Sequence, residues 1–220
     1  MVRDDIEAVC FDIDGTLSEA DSWLVLTEGL GCCWQEVLDI FKEYQKGKIP
    51  FSQCKERLTT IYRASKKATK SFIAQLFNKV ELKEKASDTI FYLKEQGYRI
   101  YLVSGAPNIY VGTVAQKLKV DGFHASSFLI FDPEKETLQD VHWLEDQGRV
   151  KVEQLQKISQ ELNITINQIA FVGNGRNDIE AFEATGKGIA VQGAVEELGQ
   201  VAWRTIKDLA EIKSILKKEC

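Results

Sequence analysis

Histidine is almost missing from this chain: two occur in 220 residues. With so few imidazoles, and no C-x-x-C spacing among its five cysteines, a zinc site is not expected. The cysteines (Cys10, Cys32, Cys33, Cys54 and Cys220) are odd in number and scattered, which fits reduced thiols in a cytosolic protein better than a disulfide framework. There is no long basic block, and the net charge is −5, so neither nucleic acid nor an anionic membrane surface is an expected partner. No apolar run approaches the roughly 18 residues that a spanning helix needs. The opening "MVRDDIEAVC" carries acids where a signal peptide would carry basic residues and lacks its apolar segment, so a cytoplasmic location is expected. What is present is an ordinary globular composition, 44% hydrophobic and 28% charged, in a chain long enough for one substantial core and a smaller attached unit.

The apolar run Ile6 to Asp12 is short and uninterrupted, as expected of a strand covered on both faces. From Ser18 to about Lys85 the spacing turns helical. Trp23, Leu26 and Leu30 form one stripe; Val37, Ile40, Phe41 and Tyr44 a second; Phe51, Leu58, Ile61 and Tyr62 a third; Phe72, Ile73, Leu76 and Phe77 a fourth. Gly31, "KGKIP" and "RASKKATK" punctuate them, so about four helices are predicted. Beyond this insert strands alternate with helices. A helix closed by Gly97 precedes a strand over 98–104, a helix over 108–118, the strand-like "GFHASSFLIF" and a turn at "DPEKET". A helix over 150–162, the strand "QIAFVG", the helix "RNDIEAFEATG", the strand "GIAV" and a helix around 208–217 complete the chain. The pattern predicts a three-layer α/β/α, Rossmann-like domain with a mostly parallel sheet and an all-helical insert.

In such a sheet ligands collect beyond the carboxyl ends of the strands. Asp12 and Asp14 stand at one such end, in "FDIDGTL". Ser104 and Gly105 stand at a second, and Asn174, Asn177 and Asp178 at a third. Lys151 opens a nearby helix. Carboxylates, hydroxyls, an ammonium and amides arriving at one rim are the groups that hold a phosphoryl group and a hard divalent cation.

These residues also carry a resemblance. "DIDGT", "VSG", Lys151 and "GNGRND" follow one another as the four motifs of the haloacid dehalogenase (HAD) superfamily, in its phosphatase branch, and the match spans nearly the whole chain. The helical insert lies where that family carries a C1-type cap, so the resemblance implies a core of residues 1–17 and 86–220 with a cap of residues 18–85. It implies a Mg2+-dependent phosphatase acting on a small phosphate ester. Asp12 would be the nucleophile that forms an aspartyl-phosphate, and Asp14 the general acid and then base. Thr16, Ser104, Gly105 and Lys151 would hold the phosphate; Asp12, Asp14, Asn174 and Asp178 would serve the metal. A proton donor at Asp14 favours an alkoxide leaving group over halide. Lys151 is preferred to its neighbour Arg149 because "KVEQLQKI" keeps the family spacing.

The sequence departs from the family at Asn174, where the usual pattern G-D-G-x-N-D has a carboxylate; the amide brings one negative charge fewer to the metal. Among capped members the order of elements is most similar to phosphoserine phosphatases. Their acidic specificity residue, nine positions after the nucleophile, corresponds to Asp21, which also reads as a helix N-cap. Their cap arginine falls near Arg57, although a second alignment puts Leu58 there. Ala106 and Pro107 replace the usual glycine and aromatic after the second motif. Trp23, Trp34 and Tyr44 are expected mainly in the cap core, with substrate contact as the alternative. A phosphotransferase or mutase, and a non-catalytic binding module, are the other readings of the same motifs.

Overall fold

Four buried residues, Ala8–Phe11, form the central strand β1. Val9 and Phe11 pack into one apolar layer, Ala8 and Cys10 into the other, so a strand with no polar face is explained by burial on both sides. The computed structural model describes residues 6–217. The acidic opening residues 1–5 and Cys220, on which compartment expectations were based, lie outside the described residues.

β1 pairs in parallel with β2 (Arg99–Pro107) on one side and β5 (Ile169–Gly173) on the other. With β3 (Gly122–Phe131), β4 (Leu138–Trp143), β6 (Gly188–Val191) and β7 (Arg204–Ile206) the sheet runs β4-β3-β2-β1-β5-β6-β7. β4 alone is antiparallel, pairing with β3. Between β1 and the core helix α5 (Ala86–Glu95) come four helices: α1 (Ser22–Gly29), α2 (Trp34–Gln45), α3 (Phe51–Arg63) and α4 (Lys70–Asn78). Each buries the stripe read from its periodicity, with Leu26, Ile40, Leu58, Tyr62, Ile73 and Phe77 at most 1% exposed. The remaining helices are α6 (Asn108–Leu118), α7 (Gln147–Leu162), α8 (Ile179–Thr185), α9 (Glu196–Val201) and α10 (Ile212–Ile215).

Three elements were not predicted: β4, α9 and β7. In β4 the buried residues Leu138 and Val141 stand three apart, because a register shift opposite Ile130 and Phe131 inserts an extra residue and breaks the period of two. β7 buries only Ile206 of its three residues and leaves no apolar run to read. Two predicted helices are shorter than expected. Residues 176–178 and 209–211 are 3-10 turns, and α8 and α10 carry only the remainder.

Trp143, at the end of β4, is the hub between insert and sheet. Its ring centroid lies 6.3 Å from that of Trp23 on α1, 5.9 Å from Phe41 on α2 and 5.2 Å from Phe51 on α3. Backbone bonds reinforce it: Leu138 N donates to Ala68 O at 2.8 Å and Lys70 N to Glu136 O at 2.9 Å. The Lys55 ammonium donates to Asp140 at 2.8 Å.

Candidate active site

Asp12 follows β1 directly, and its amide donates to Val172 O at 2.9 Å, extending the ladder to β5 and fixing the direction of the side chain. The residue is 5% exposed. Its Oδ2 lies 3.3 Å from the Lys151 ammonium, whereas its Oδ1 is buried with no hydrogen-bond partner among the described residues. Burial pushes the Asp12 carboxyl upward, Lys151 opposes that, and Asp178 adds to it. The Lys151 side chain is wholly buried, 2.5 Å from Asp178 Oδ1 and above the ring of Phe171. Burial would lower its pKa, but the two carboxylates outweigh burial and hold it above the usual lysine value. Arg149, the neighbouring candidate, is exposed and paired with Glu153.

Asp14 lies on the turn after β1. The amides of Thr16, Leu17 and Ser18 all donate to Ile13 O, and Gly15 takes a φ of +73°. A side chain at position 15 would be strained, and its Cβ would fall 2.1 Å from Asn174 Nδ2. Asp14 Oδ2 accepts from the Ser22 amide at 3.1 Å and from the Ser22 hydroxyl at 2.5 Å; its Oδ1 is buried without a partner among the described residues. Burial pushes its carboxyl up to about 7, the Ser22 bonds pulling it back and Asp12 pushing it further. Ser22 is thus a site residue that the sequence motifs do not include.

The loop after β5 closes on Asp178. Its Oδ2 accepts from the amides of Asn174 and Gly175, each at 2.9 Å, while its Oδ1 takes Lys151, so both oxygens are engaged. At Gly173 an added Cβ would meet Asp178 Oδ2 at 2.4 Å, which is why a glycine ends β5. Asn174 Oδ1 accepts from the Thr16 hydroxyl at 3.0 Å, joining the first and fourth motifs. Ser104, in β2, is 1% exposed; its hydroxyl draws the Asp12 carboxyl downward and accepts from Ala106 N at 3.3 Å. Beside Gly105, Gln147 Oε1 would lie 2.9 Å from an added Cβ.

Asp12, Asp14, Ser104 and Gly105 line one cavity of about 360 Å³, with Asp21 also in its wall. Asp21 is the N-cap of α1 as well: its Oδ1 accepts from Trp23 N at 2.9 Å and Leu24 N at 3.1 Å. Trp23 and Tyr44 face this cavity; Trp34 does not line it. Arg57 does not line it either, its guanidinium being paired with Glu43 at 2.5 Å. Sequence reasoning missed Phe41, Trp143, Glu145 and Gln147 as cavity residues. Trp143 ends, and Glu145 and Gln147 follow, a strand whose broken period hid it, and Phe41 was read only as part of an apolar stripe.

A family model of haloacid dehalogenase-like hydrolases matches residues 6–186, a span that contains all four motif groups just described. The chain belongs to this hydrolase family. It is similar to a phosphoserine phosphatase of Methanocaldococcus jannaschii, 29% identical over 83% of each chain. A phosphoserine phosphatase of Archaeoglobus fulgidus is 28% identical over 95% of this chain, which spans 59% of that protein's length. Among solved structures, a phospho-aspartyl intermediate analogue of phosphoserine phosphatase superposes with a TM-score of 0.76 at 29% identity, covering 97% of this chain and all of that one. A substrate-bound phosphoserine phosphatase superposes equally well, covering 96% and 98%.

Proposed function

We propose that this protein is a phosphatase that hydrolyses a small phosphate monoester through an aspartyl-phosphate on Asp12. The observation that carries the reading is one cavity holding a Lys151-clamped Asp12 beside an Asp14 pushed up to about 7. Asp12 attacks phosphorus while Asp14 gives its proton to the departing ester oxygen. A water molecule, deprotonated by Asp14, then attacks the phosphorus, and inorganic phosphate leaves with Asp12 restored. Ser104, Gly105, Lys151 and Thr16 act on the phosphate oxygens, Thr16 from its bond to Asn174. The helices of residues 18–85 serve as a cap over a core of residues 1–17 and 86–220, excluding bulk water during transfer.

The donor set fits Mg2+. Asp12 presents a buried, unpartnered oxygen, and a hard cation takes such an oxygen, whereas the one free oxygen of Asp14 is needed to carry its proton. Asn174 adds an amide oxygen, and Asp178, with both oxygens engaged, supports the site by holding Lys151 and the loop. Among the described residues no three His, Cys, Asp or Glu side chains gather into a closed cage, which suits an ion that draws further ligands from water and phosphate. When bound, the ion neutralises charge on the transferring phosphoryl group. The unpaired thiols of Cys10, Cys32, Cys33 and Cys54 support a cytoplasmic setting, and no helix among the described residues is long and apolar enough to cross a membrane.

The test is phosphate release from a panel of small esters, phosphoserine included, with and without Mg2+ and with Asp12→Asn protein alongside. Mg2+-dependent release that vanishes in the variant is expected. Release that appears only when an acceptor alcohol is added would replace hydrolysis by phosphotransfer, and no release under any condition would leave a binding module.

A further inference from the structure

The part of the cavity built by α1, α2 and the end of β4 has no task in the phosphoryl chemistry, and its composition is one-sided. No lysine or arginine lines the cavity among the described residues, while Asp21 and Glu145 both do, in addition to Asp12 and Asp14. Trp23, Phe41, Tyr44 and Trp143, with the neutral amide of Gln45, supply the rest of this wall. Trp143 lies 6.3 Å from Trp23, edge to face, and 5.9 Å from Phe41, so three rings form a continuous surface. The Tyr44 hydroxyl donates to Glu145 Oε1 at 2.6 Å, tying α2 to the segment after β4 and orienting that carboxylate. Across from these, Asp21 spends Oδ1 on capping α1, and its Oδ2 makes no hydrogen bond among the described residues.

Aromatic faces joined to fixed carboxylates attract organic cations, because the ring quadrupole and the anionic charge act with the same sign. A substrate carboxylate would meet two acids here and no cation. The guanidiniums of Arg57 and Arg149 do not line the cavity and are paired, with Glu43 and Glu153. Resting on the phosphatase reading above, we propose that the ester cleaved is the phosphate of a small amino alcohol, its ammonium or quaternary ammonium seated among Trp23, Phe41, Tyr44 and Trp143 between Asp21 and Glu145, with no carboxylate. A cavity of about 360 Å³ admits a headgroup of that size but not a polymer.

The measurement is kcat/KM with Mg2+ for phosphoethanolamine, phosphocholine, glycerol 3-phosphate and phosphoserine, with p-nitrophenyl phosphate as a general reporter. The cationic esters are expected to exceed glycerol 3-phosphate by about tenfold or more, with phosphoserine below both groups. Asp21→Asn, which keeps a capping side chain, and Glu145→Gln should each narrow that ratio, acting through KM. Equal or better turnover of glycerol 3-phosphate or phosphoserine overturns the cation site while leaving the phosphatase reading intact. No release from any ester, p-nitrophenyl phosphate included, overturns the phosphatase reading instead. A tryptophan-fluorescence titration then decides the site: saturable quenching by choline and not by glycerol supports it, and equal response to both sinks it.

Discussion

Asp14 holds two hydrogen bonds from Ser22 and still titrates near neutral pH, because burial and the neighbouring Asp12 act against them. Its folded value of about 7 lies above that of an exposed aspartate, about 4. Between these values the native state keeps a proton that the unfolded chain has released. The stability this group contributes is therefore present in full below about pH 4 and lost as pH rises through about 7. In chelator, the urea midpoint is expected to fall between pH 5 and pH 8, and Asp14→Asn to flatten that fall. An unchanged slope in the variant would remove Asp14 as its source. At this scale the sequence was most legible where a residue's chemistry is fixed by type and spacing: Asp12, Asp14 and Ser104 line one cavity, and the Lys151 ammonium lies 3.3 Å from Asp12. It was least legible where a role depends on partners. Nothing about Asp178 in isolation says that both its oxygens are consumed by Lys151 and two backbone amides, or that Ser22 reaches back across seven residues of chain to a carboxylate.

Among the elements, the four helices of the insert were readable because each repeats its apolar stripe over several turns, and propensity, periodicity and burial agree. β4 was not, and the consequence is larger than one missing strand, since β4 carries the tryptophan on which α1, α2 and α3 converge. Trp143→Ala is expected to cost about 3–5 kcal/mol, the range for deleting a large buried aromatic. The loss should be uneven. Hydrogen exchange should accelerate first in α1 to α3 and in β4, with β1, β2 and β5 protected longer. Uniform acceleration across the sheet would show instead that Trp143 belongs to the sheet core and not to the junction.

For the whole molecule, the buried, unpartnered oxygen of Asp12, in a cavity that Asp14 also lines, makes the fold responsive to a cation that neutralises this charge. Mg2+ at a hundred times its dissociation constant should raise the thermal midpoint by about 5–10 °C, and Asp12→Asn should blunt that rise; no rise at millimolar Mg2+ would remove the metal from these carboxylates. The sheet order also bears on how the protein behaves among its own copies. An edge strand with open backbone donors invites a second chain to pair with it. On β4 the amide of Leu138 is taken by Ala68 O and that of Val141 by Thr59 Oγ1, both from the helical insert, while the opposite edge, β7, is only three residues long. The segment proposed as the cap therefore also seals the sheet, and cutting it out would leave an adhesive edge and not a smaller working hydrolase.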